Sequence, residues 1–261
     1  MCKVISIVNE KGGVAKTTTV YAISEGLVKK GKKVLMIDFD PQASLTITAG
    51  YDGLGQITNC ISDLLINGVE NGGSIEIGAI IRQLTNGVNL IPSSTQLVAV
   101  ETSLINVMGR EYILDNILDE FRQHYDYIVI DCSPSLSLLT INALAASDSV
   151  IIPVTAEYLA IKGLEVMLQT IIRIKRRINR NLEFEGILFT KFKERNRLTK
   201  EVVKMLSDAY EGVIPVFESK IACSTKVAEA AMYQKSIIEY APKHKSAQAY
   251  IHVVEEILAN A

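Results

Sequence analysis

Short runs rich in valine and isoleucine alternate with longer amphipathic stretches along most of this chain. Fully apolar runs of a few residues, placed between helical patterns, are typical of strands buried on both faces of a parallel sheet. The predicted strands are residues 3–9, 33–38, 88–92, 127–131, 149–154, 185–191 and 212–217. The predicted helices are residues 16–30, 110–123, 136–146, 159–180, 199–209 and 246–259. We therefore predict an α/β fold with a doubly wound, mostly parallel sheet and helices on both faces.

The chain has 261 residues, 48% of them hydrophobic, and no linker rich in proline, glycine or serine divides it. This is enough to bury one large core. We predict a single domain over residues 1–261, in which residues 50–85 form an irregular insertion because glycines interrupt two short helical patterns. The four cysteines lie far apart, which fits neither a metal knuckle nor a compact disulfide framework and favours a reducing, cytoplasmic location.

The first predicted strand leads directly into a glycine-rich turn and then into a helical pattern. This segment reads Asn9-Glu10-Lys11-Gly12-Gly13-Val14-Ala15-Lys16-Thr17-Thr18-Thr19. Successive backbone N–H groups of such a turn, together with the positive end of the helix dipole, form a phosphate cradle. Lys16 is then placed to reach the β and γ phosphates of a nucleotide, and the Thr17 hydroxyl to bind Mg²⁺.

The turn departs from the general phosphate-loop spacing G-x-x-x-x-G-K-[ST] at both glycine positions, which are occupied by Glu10 and Ala15. It matches instead the deviant form [KR]-G-G-x-x-K-[ST], which Lys11 opens. If position 15 needs a positive φ, the alanine costs on the order of 1 kcal/mol. We expect nucleotide binding to survive, because the deviant pattern tolerates other residues there.

Three aspartates close predicted strands. Asp38 and Asp40 end the second strand in the segment Asp38-Phe39-Asp40-Pro41-Gln42. Asp131 ends the apolar run Tyr127-Ile128-Val129-Ile130, which is a Walker B pattern, where the acid holds Mg²⁺ directly or through water. Because ligands of open parallel sheets bind outside the carboxyl ends of the strands, we expect these carboxylates beside the phosphate loop.

The deviant loop, the segment from Asp38 to Gln42 and the strand that ends in Asp131 resemble the ParA/MinD family of ATPases, most closely its short Soj-type partition proteins. The likeness continues through residues 138–144, 152–154 and 186–191. It implies a P-loop NTPase-like fold, ATP and Mg²⁺ as ligands, and hydrolysis of ATP to ADP and phosphate. Because the chain begins at the first strand, no N-terminal helix-turn-helix domain is expected.

The resemblance also implies roles for individual residues. Lys11 is expected to contact the nucleotide of a partner subunit, so that two chains close face to face over two ATP molecules. Asp40 is expected to orient the attacking water, and Asp38 to stand near the Mg²⁺ held by Thr17 and Asp131. Lys11, Lys16 and Asp40 are the expected catalytic residues. The expected nucleotide-binding residues are Lys11, Gly12, Gly13, Val14, Ala15, Lys16, Thr17, Thr18 and Lys191.

Charge is distributed unevenly, although the net charge is only −2. Residues 1–161 contain 10 Lys+Arg and 17 Asp+Glu, residues 162–226 contain 14 and 8, and residues 227–261 contain 3 and 4. The middle segment is therefore positive in an acidic chain, which suits sequence-independent contact with DNA phosphates. Arg195 matches a DNA-contacting arginine of the family. The other expected DNA-binding residues are Lys193, Arg197, Lys226, Lys243 and Lys245.

Two segments of the family pattern are altered in this chain. The usual I-P-R-N appears as Ile221-Ala222-Cys223-Ser224, which loses an arginine. The usual D-P-R-S-R-G appears as Ala241-Pro242-Lys243-His244-Lys245-Ser246, which keeps both charges as lysines. We expect DNA affinity to persist in a weakened or repositioned form.

The predicted function is that of an ATP-dependent DNA-segregation ATPase. Such a protein dimerises on ATP, binds DNA non-specifically on the nucleoid, and hydrolyses ATP when a ParB-type centromere-binding partner stimulates it. One alternative is a MinD-like membrane-localised ATPase, which needs a basic amphipathic C-terminal helix; residues 249–258 are acidic instead, so no stable membrane association is expected. The other alternative is a nucleotide-switched DNA-binding regulator with little hydrolysis.

Overall fold

The computed structural model describes residues 2–51, 59–70, 77–193, 195–210 and 212–260. Over these residues a seven-stranded sheet has the order β3-β4-β2-β5-β1-β6-β7. The strands are β1 (Lys3–Ile7), β2 (Val34–Phe39), β3 (Arg82–Gln83), β4 (Asn89–Ile91), β5 (Tyr127–Cys132), β6 (Ser149–Thr155) and β7 (Glu183–Thr190). Neighbouring strands run parallel except β3, which pairs antiparallel with β4 at the edge.

Helices cover both faces of this sheet. The long helices are α1 (Lys16–Lys29), α3 (Ile61–Glu70), α5 (Leu97–Leu104), α6 (Ile113–Phe121), α7 (Leu138–Ala145), α8 (Tyr158–Arg177), α9 (Arg197–Tyr210), α10 (Thr225–Met232) and α12 (Lys245–Ala259). The shorter elements are α2 (Ser44–Thr48), α4 (Ile77–Ile80), α11 (Ile237–Tyr240) and a 3-10 turn at Arg110–Tyr112.

The buried side chains form two apolar layers, one on each face of the sheet. In β1, Val4 belongs to one layer, with α3 and α5 to α9, while Ile5 and Ile7 belong to the other, with α1, α11 and α12. This alternation follows from the two-residue period of a strand. Helix α12 packs closely on α1 because Gly26 has no side chain: a Cβ there would lie 2.8 Å from Val254 Cγ2.

The sequence predicted the six longer strands to within a few residues, and the doubly wound sheet is confirmed. The prediction of a strand at 212–217 was wrong, since only an isolated bridge between Ile187 and Val216 forms there. Pro215 has no N–H to donate, and the amides of Glu218 and Ser219 donate to the Glu256 carboxylate instead of to a neighbouring strand.

The segment at 50–85, expected to be an irregular insertion with two short helical patterns, contains the helices α3 and α4. Helix α3 is regular over ten residues, and its Ile61 and Leu65 are fully buried in one of the two layers. Residues 52–58 and 71–76 of this insertion lie outside the described residues. Among the residues that the structure does describe, no helix is both long enough and apolar enough to cross a membrane.

Candidate functional site

The loops after β1, β2, β5, β6 and β7 meet at the carboxyl edge of the sheet. The loop between β1 and α1 is fixed by Asn9, whose Nδ2 donates to the Pro153 carbonyl at 2.7 Å and whose Oδ1 accepts from the Lys11 amide at 2.9 Å. Gly13 adopts the left-handed conformation (φ 73°) within it. A Cβ added at Gly12 would meet nothing within 4 Å, so the mouth of the loop is open to a ligand.

Lys16 lies inside this loop with only 8% of its surface exposed. Its Nζ donates to the Asn9 carbonyl at 2.9 Å. Burial lowers the pKa of Lys16, whereas the nearby Asp131 and Asp40 carboxylates oppose that shift. The ammonium group is therefore held between the loop carbonyls and the carboxylates that end β5 and β2.

Asp38 and Asp131 lie opposite each other in the register of β2 and β5, and both are buried. Burial raises the pKa of Asp38 to about 6, although its Oδ2 accepts hydrogen bonds from the amide (2.8 Å) and the hydroxyl (2.7 Å) of Thr46. Burial and the adjacent Asp38 charge raise the pKa of Asp131 well above its ordinary value. Two acidic groups so close together in a dry site favour binding of a cation.

The residues at the end of β5 fit a magnesium ion. Asp131 Oδ2 is buried and has no hydrogen-bond partner among the described residues. The Thr17 hydroxyl hydrogen-bonds the same carboxylate and lowers its pKa. Mg²⁺ prefers such oxygen ligands, and it takes few of them from the protein because it keeps several waters and binds the substrate phosphates.

We expect Asp131→Asn to stabilise the nucleotide-free protein at neutral pH. Because the folded-state pKa of Asp131 is raised, folding is penalised as the pH rises from the unfolded pKa through the folded pKa, and a neutral amide removes that penalty. Thermal unfolding at pH 7 should show a Tm higher by a few degrees, roughly 2–4 °C for each kcal/mol. The same variant should lose its stabilisation by Mg²⁺-ATP, and an unchanged or lower Tm without nucleotide would contradict this reasoning.

Asp40 lies beyond the end of β2 and is only half-buried. Its Oδ1 accepts from the Gln42 amide at 2.9 Å, and the Ser93 hydroxyl donates to its backbone carbonyl at 2.8 Å. These bonds fix the orientation of the carboxylate at the rim of the loop. A carboxylate held in this way can accept a hydrogen bond from a water that attacks a phosphate.

Lys11 is exposed at the entrance of the loop and is ion-paired with Glu157, which directly precedes α8. Its Nζ also donates to the Thr155 hydroxyl at 3.3 Å. The lysine contact lowers the pKa of Glu157. Both partners are largely exposed, so the pair holds Lys11 across the loop mouth without burying its charge.

Ala15 directly precedes α1 in the left-handed conformation, with φ 69° and ψ 32°. The sequence had raised this possibility, and the structure confirms that the position requires a positive φ. An alanine in this conformation costs roughly 1–2 kcal/mol of folding free energy. A glycine avoids that cost, but its larger unfolded-state entropy offsets part of the gain.

We expect Ala15→Gly to raise the free energy of unfolding by up to about 1 kcal/mol while ATP binding is retained. Ala43 also has a positive φ (52°), outside the loop, which makes Ala43→Gly a matched control. Denaturant unfolding should show both variants to be at least as stable as the wild type. A destabilised Ala15→Gly variant beside a normal Ala43→Gly variant would show that the alanine side chain supports the loop.

A cavity of about 300 Å³ adjoins the phosphate loop. Gly13 and Thr18 line one side of it, and Lys191, whose φ is 50°, lies at another. The remaining lining is mostly apolar and comes from the loop, from the segment before α10, from α10 itself and from α12: Ala15, Ile221, Ala222, Cys223, Ser224, Val227, Ala228, Ala231 and Tyr250. The volume and lining suit a flat heterocycle beside a phosphate site.

The cationic residues predicted to bind DNA lie on three segments that hydrogen bonds tie together. The Phe192 amide donates to the Ile221 carbonyl at 2.9 Å, and the Cys223 amide donates back to Phe192 at 3.0 Å. Ser246 Oγ donates to the Ala222 carbonyl at 3.3 Å. The loop after β7, the segment before α10 and the start of α12 therefore share one region of the surface.

All six predicted cations are exposed. Arg197 is ion-paired with Glu201, and Lys226 with Glu229. Lys193 and Arg195 are exposed in the loop after β7, and Lys243 and Lys245 are exposed at the start of α12. Because exposed ion pairs are weak, these contacts leave Arg197 and Lys226 available to a phosphate.

The structure brings into the site several residues that the sequence did not single out. Asn9 anchors the loop, Thr46 binds Asp38, and Glu157 binds Lys11. The sequence signal for Asn9 is a polar side chain directly after a buried apolar run, whereas Glu157 pairs with a residue 146 positions away and has no local signal.

This fold and this loop define a P-loop ATPase whose ligands are ATP and Mg²⁺. Residues 2–184 match the profile of the AAA domain family, AAA_31. The chain belongs to this family and, within it, to the Soj/ParA ATPases. It is 37% identical over 261 residues to the sporulation initiation inhibitor protein Soj of Bacillus subtilis, with 100% of both chains covered.

Solved structures support the same grouping. A structure of cobyrinic acid a,c-diamide synthase from Mycobacterium smegmatis with bound ADP and magnesium has a TM-score of 0.85 and 32% identity, and the match covers 100% of this chain and 95% of that one. A plasmid partition protein from Borrelia burgdorferi bound to AMPPNP has a TM-score of 0.81 and 29% identity, with 100% of both chains covered. The relatives thus bind adenine nucleotides on the fold described above.

Proposed function

We propose that this chain is a DNA-partition ATPase that dimerises on ATP, binds DNA without sequence preference, and hydrolyses ATP when a ParB-type partner stimulates it. The observation that carries the proposal is that two features lie at the same edge of the sheet. The phosphate loop and the exposed cations of the β7 loop and the α12 start lie on segments that share the same cavity and hydrogen bonds. Nucleotide in the loop can therefore influence the cationic surface directly.

In this proposal the backbone amides from Lys11 to Ala15 and the dipole of α1 bind the phosphates. Lys16 moves from the Asn9 carbonyl to the β and γ phosphates, a short movement because its Nζ already lies within the loop. Thr17, Thr18 and Lys191 complete the nucleotide site, and the apolar cavity takes the base.

Thr17 and Asp131 are the residues proposed to hold Mg²⁺, with Asp38 beside them. The ion, when bound, neutralises charge on the phosphate oxygens. Asp38 keeps Thr46 and the Asp40 amide in place through hydrogen bonds, and Asp40 orients the attacking water. The hydrolytic step therefore depends on a carboxylate that the chain fixes through Gln42.

Dimerisation is proposed to depend on Lys11. The lysine lies at the open mouth of the loop, where its Nζ contacts the exposed Glu157 carboxylate and the Thr155 hydroxyl. Because exposed ion pairs contribute about 0–1 kcal/mol, a phosphate of a nucleotide on the partner chain can replace Glu157 at little cost. Two chains then close face to face over two nucleotides.

DNA binding is proposed to use Lys193, Arg195, Arg197, Lys226, Lys243 and Lys245. Phosphate contacts need positive charge and reach, which these exposed side chains provide. A face-to-face dimer presents two copies of this surface, so DNA affinity increases when ATP joins the chains.

The experiment that tests the DNA-binding surface is a salt series of binding to duplexes of unrelated sequence, with ATP, for the wild type, Arg195→Glu and Lys33→Glu. Lys33 is an exposed lysine just before β2, at the opposite end of the strands, and makes the same change of charge. We expect Arg195→Glu to weaken binding about tenfold or more and to reduce the slope of log K against log salt by about one for each lost phosphate contact. Equal effects of the two variants would contradict the proposed surface.

A further inference from the structure

The two segments that depart from the family pattern contact each other at the wall of the cavity. Ser224 Oγ lies 3.2 Å from His244 Nε2, and both residues are half-buried. Ser224 lines the cavity beside the phosphate loop, together with Gly13 and Thr18. The alterations at 221–224 and 241–246 are therefore coupled in the folded chain, although they are separate in the sequence.

The hydrogen bonds around this pair determine where its protons lie. His244 Nδ1 accepts from the Ser246 amide at 3.1 Å, so this nitrogen carries no proton. A neutral imidazole then has its proton on Nε2 and donates it to Ser224 Oγ. Ser224 Oγ also accepts from the Lys226 amide at 3.1 Å. A serine hydroxyl accepts two hydrogen bonds and donates one, so both acceptor positions of Ser224 are used and only its O–H remains.

We infer that Ser224 is a specificity-determining residue for the nucleobase, whose hydroxyl donates to a ring nitrogen of adenine, and that His244 is the positioning residue that fixes this hydroxyl as a donor. The inference rests on the proposed nucleotide site. Adenine presents unprotonated ring nitrogens, which are acceptors. The side chains of Ile221, Val227 and Tyr250 supply apolar surface for the faces of the ring.

The test compares ATP, inorganic tripolyphosphate and the 1-, 3- and 7-deaza analogues of ATP in equilibrium binding to the wild type and Ser224→Ala. We expect Ser224→Ala to bind ATP about 3- to 10-fold more weakly, the effect of losing one neutral hydrogen bond, and to bind tripolyphosphate as the wild type does. One deaza analogue should bind the wild type as weakly as ATP binds the variant, and the variant should not weaken its binding further.

Two further variants separate the hydroxyl from the helix caps that it and His244 provide. Ser224→Thr keeps the hydroxyl and should restore ATP affinity. His244→Asn keeps an acceptor for the Ser246 amide but is too short to reach Ser224, so it should weaken ATP binding by less than Ser224→Ala does.

Three outcomes would overturn the inference: unchanged ATP affinity in Ser224→Ala, an equal loss for tripolyphosphate, or a loss that no deaza analogue reproduces. Failure of the wild type to bind ATP at all would instead overturn the proposed function on which the inference rests.

Discussion

The Lys16→Ala variant is expected to bind ATP about 100-fold more weakly than the wild type, or not measurably. Lys16 is the buried cation of the loop, and its Nζ lies 2.9 Å from the Asn9 carbonyl in the path of the phosphates. Each charge-assisted hydrogen bond contributes about 1.5–3 kcal/mol, so loss of contacts to two phosphates reaches this size. Equilibrium binding of a fluorescent ATP analogue measures the effect directly.

Two other lysine variants test whether the loss of ATP binding is specific to Lys16. Lys30→Ala removes an exposed lysine that is ion-paired with Glu255, away from the loop, and should bind ATP normally. Lys11→Ala removes the entrance lysine and should bind ATP while losing ATP-dependent dimerisation. Normal ATP binding by Lys16→Ala, or equal losses in all three variants, would contradict the assignment of the phosphate loop.

The Asp40→Ala variant should bind ATP and dimerise but hydrolyse it at least about 100-fold more slowly, since general-base and water-orienting groups contribute roughly 100- to 10,000-fold to rate. The side chain of Asp40 is only half-buried, and its hydrogen bond to Gln42 is local, so its removal leaves the core intact. Phosphate release with DNA and partner present is the measurement.

The control for Asp40 is Asp119→Ala, which removes an exposed carboxylate of α6 that is ion-paired with Arg122. It should hydrolyse ATP like the wild type. Undiminished turnover by Asp40→Ala would remove Asp40 from the hydrolytic role and leave Asp38 as the next carboxylate to test.

Local sequence patterns predicted the features that arise locally. The strand, glycine turn and helix N-terminus of the phosphate loop follow one another in the chain, and Asp38 and Asp131 each end an apolar run, so their meeting at one edge follows from parallel strands. The positive φ of Ala15 could likewise be anticipated from its place in the loop.

The features that the sequence missed depend on tertiary contacts. Lys11 and Glu157 are 146 residues apart, and Ser224 and His244 are 20 apart and directly precede different helices, so no periodicity links either pair. The predicted strand at 212–217 failed because Pro215 has no N–H and the amides of Val213 and Ile214 donate to the Tyr210 carbonyl, neither of which hydropathy reports. A count of charged residues also could not show that Arg197 and Lys226 are ion-paired.

The most direct test of the proposed cycle is the mass of the Asp40→Ala chain in solution, measured by light scattering with Mg²⁺ and ATP, with Mg²⁺ and ADP, and without nucleotide. Of the three conditions, only Mg²⁺ with ATP should give a mass twice the 28.7 kDa of the monomer. When Lys11→Ala is added to the same chain, we predict the mass of one monomer. The dimer should also be the form that binds DNA in low salt. An identical mass under all three conditions, with ATP shown to be bound, would contradict ATP-driven dimerisation.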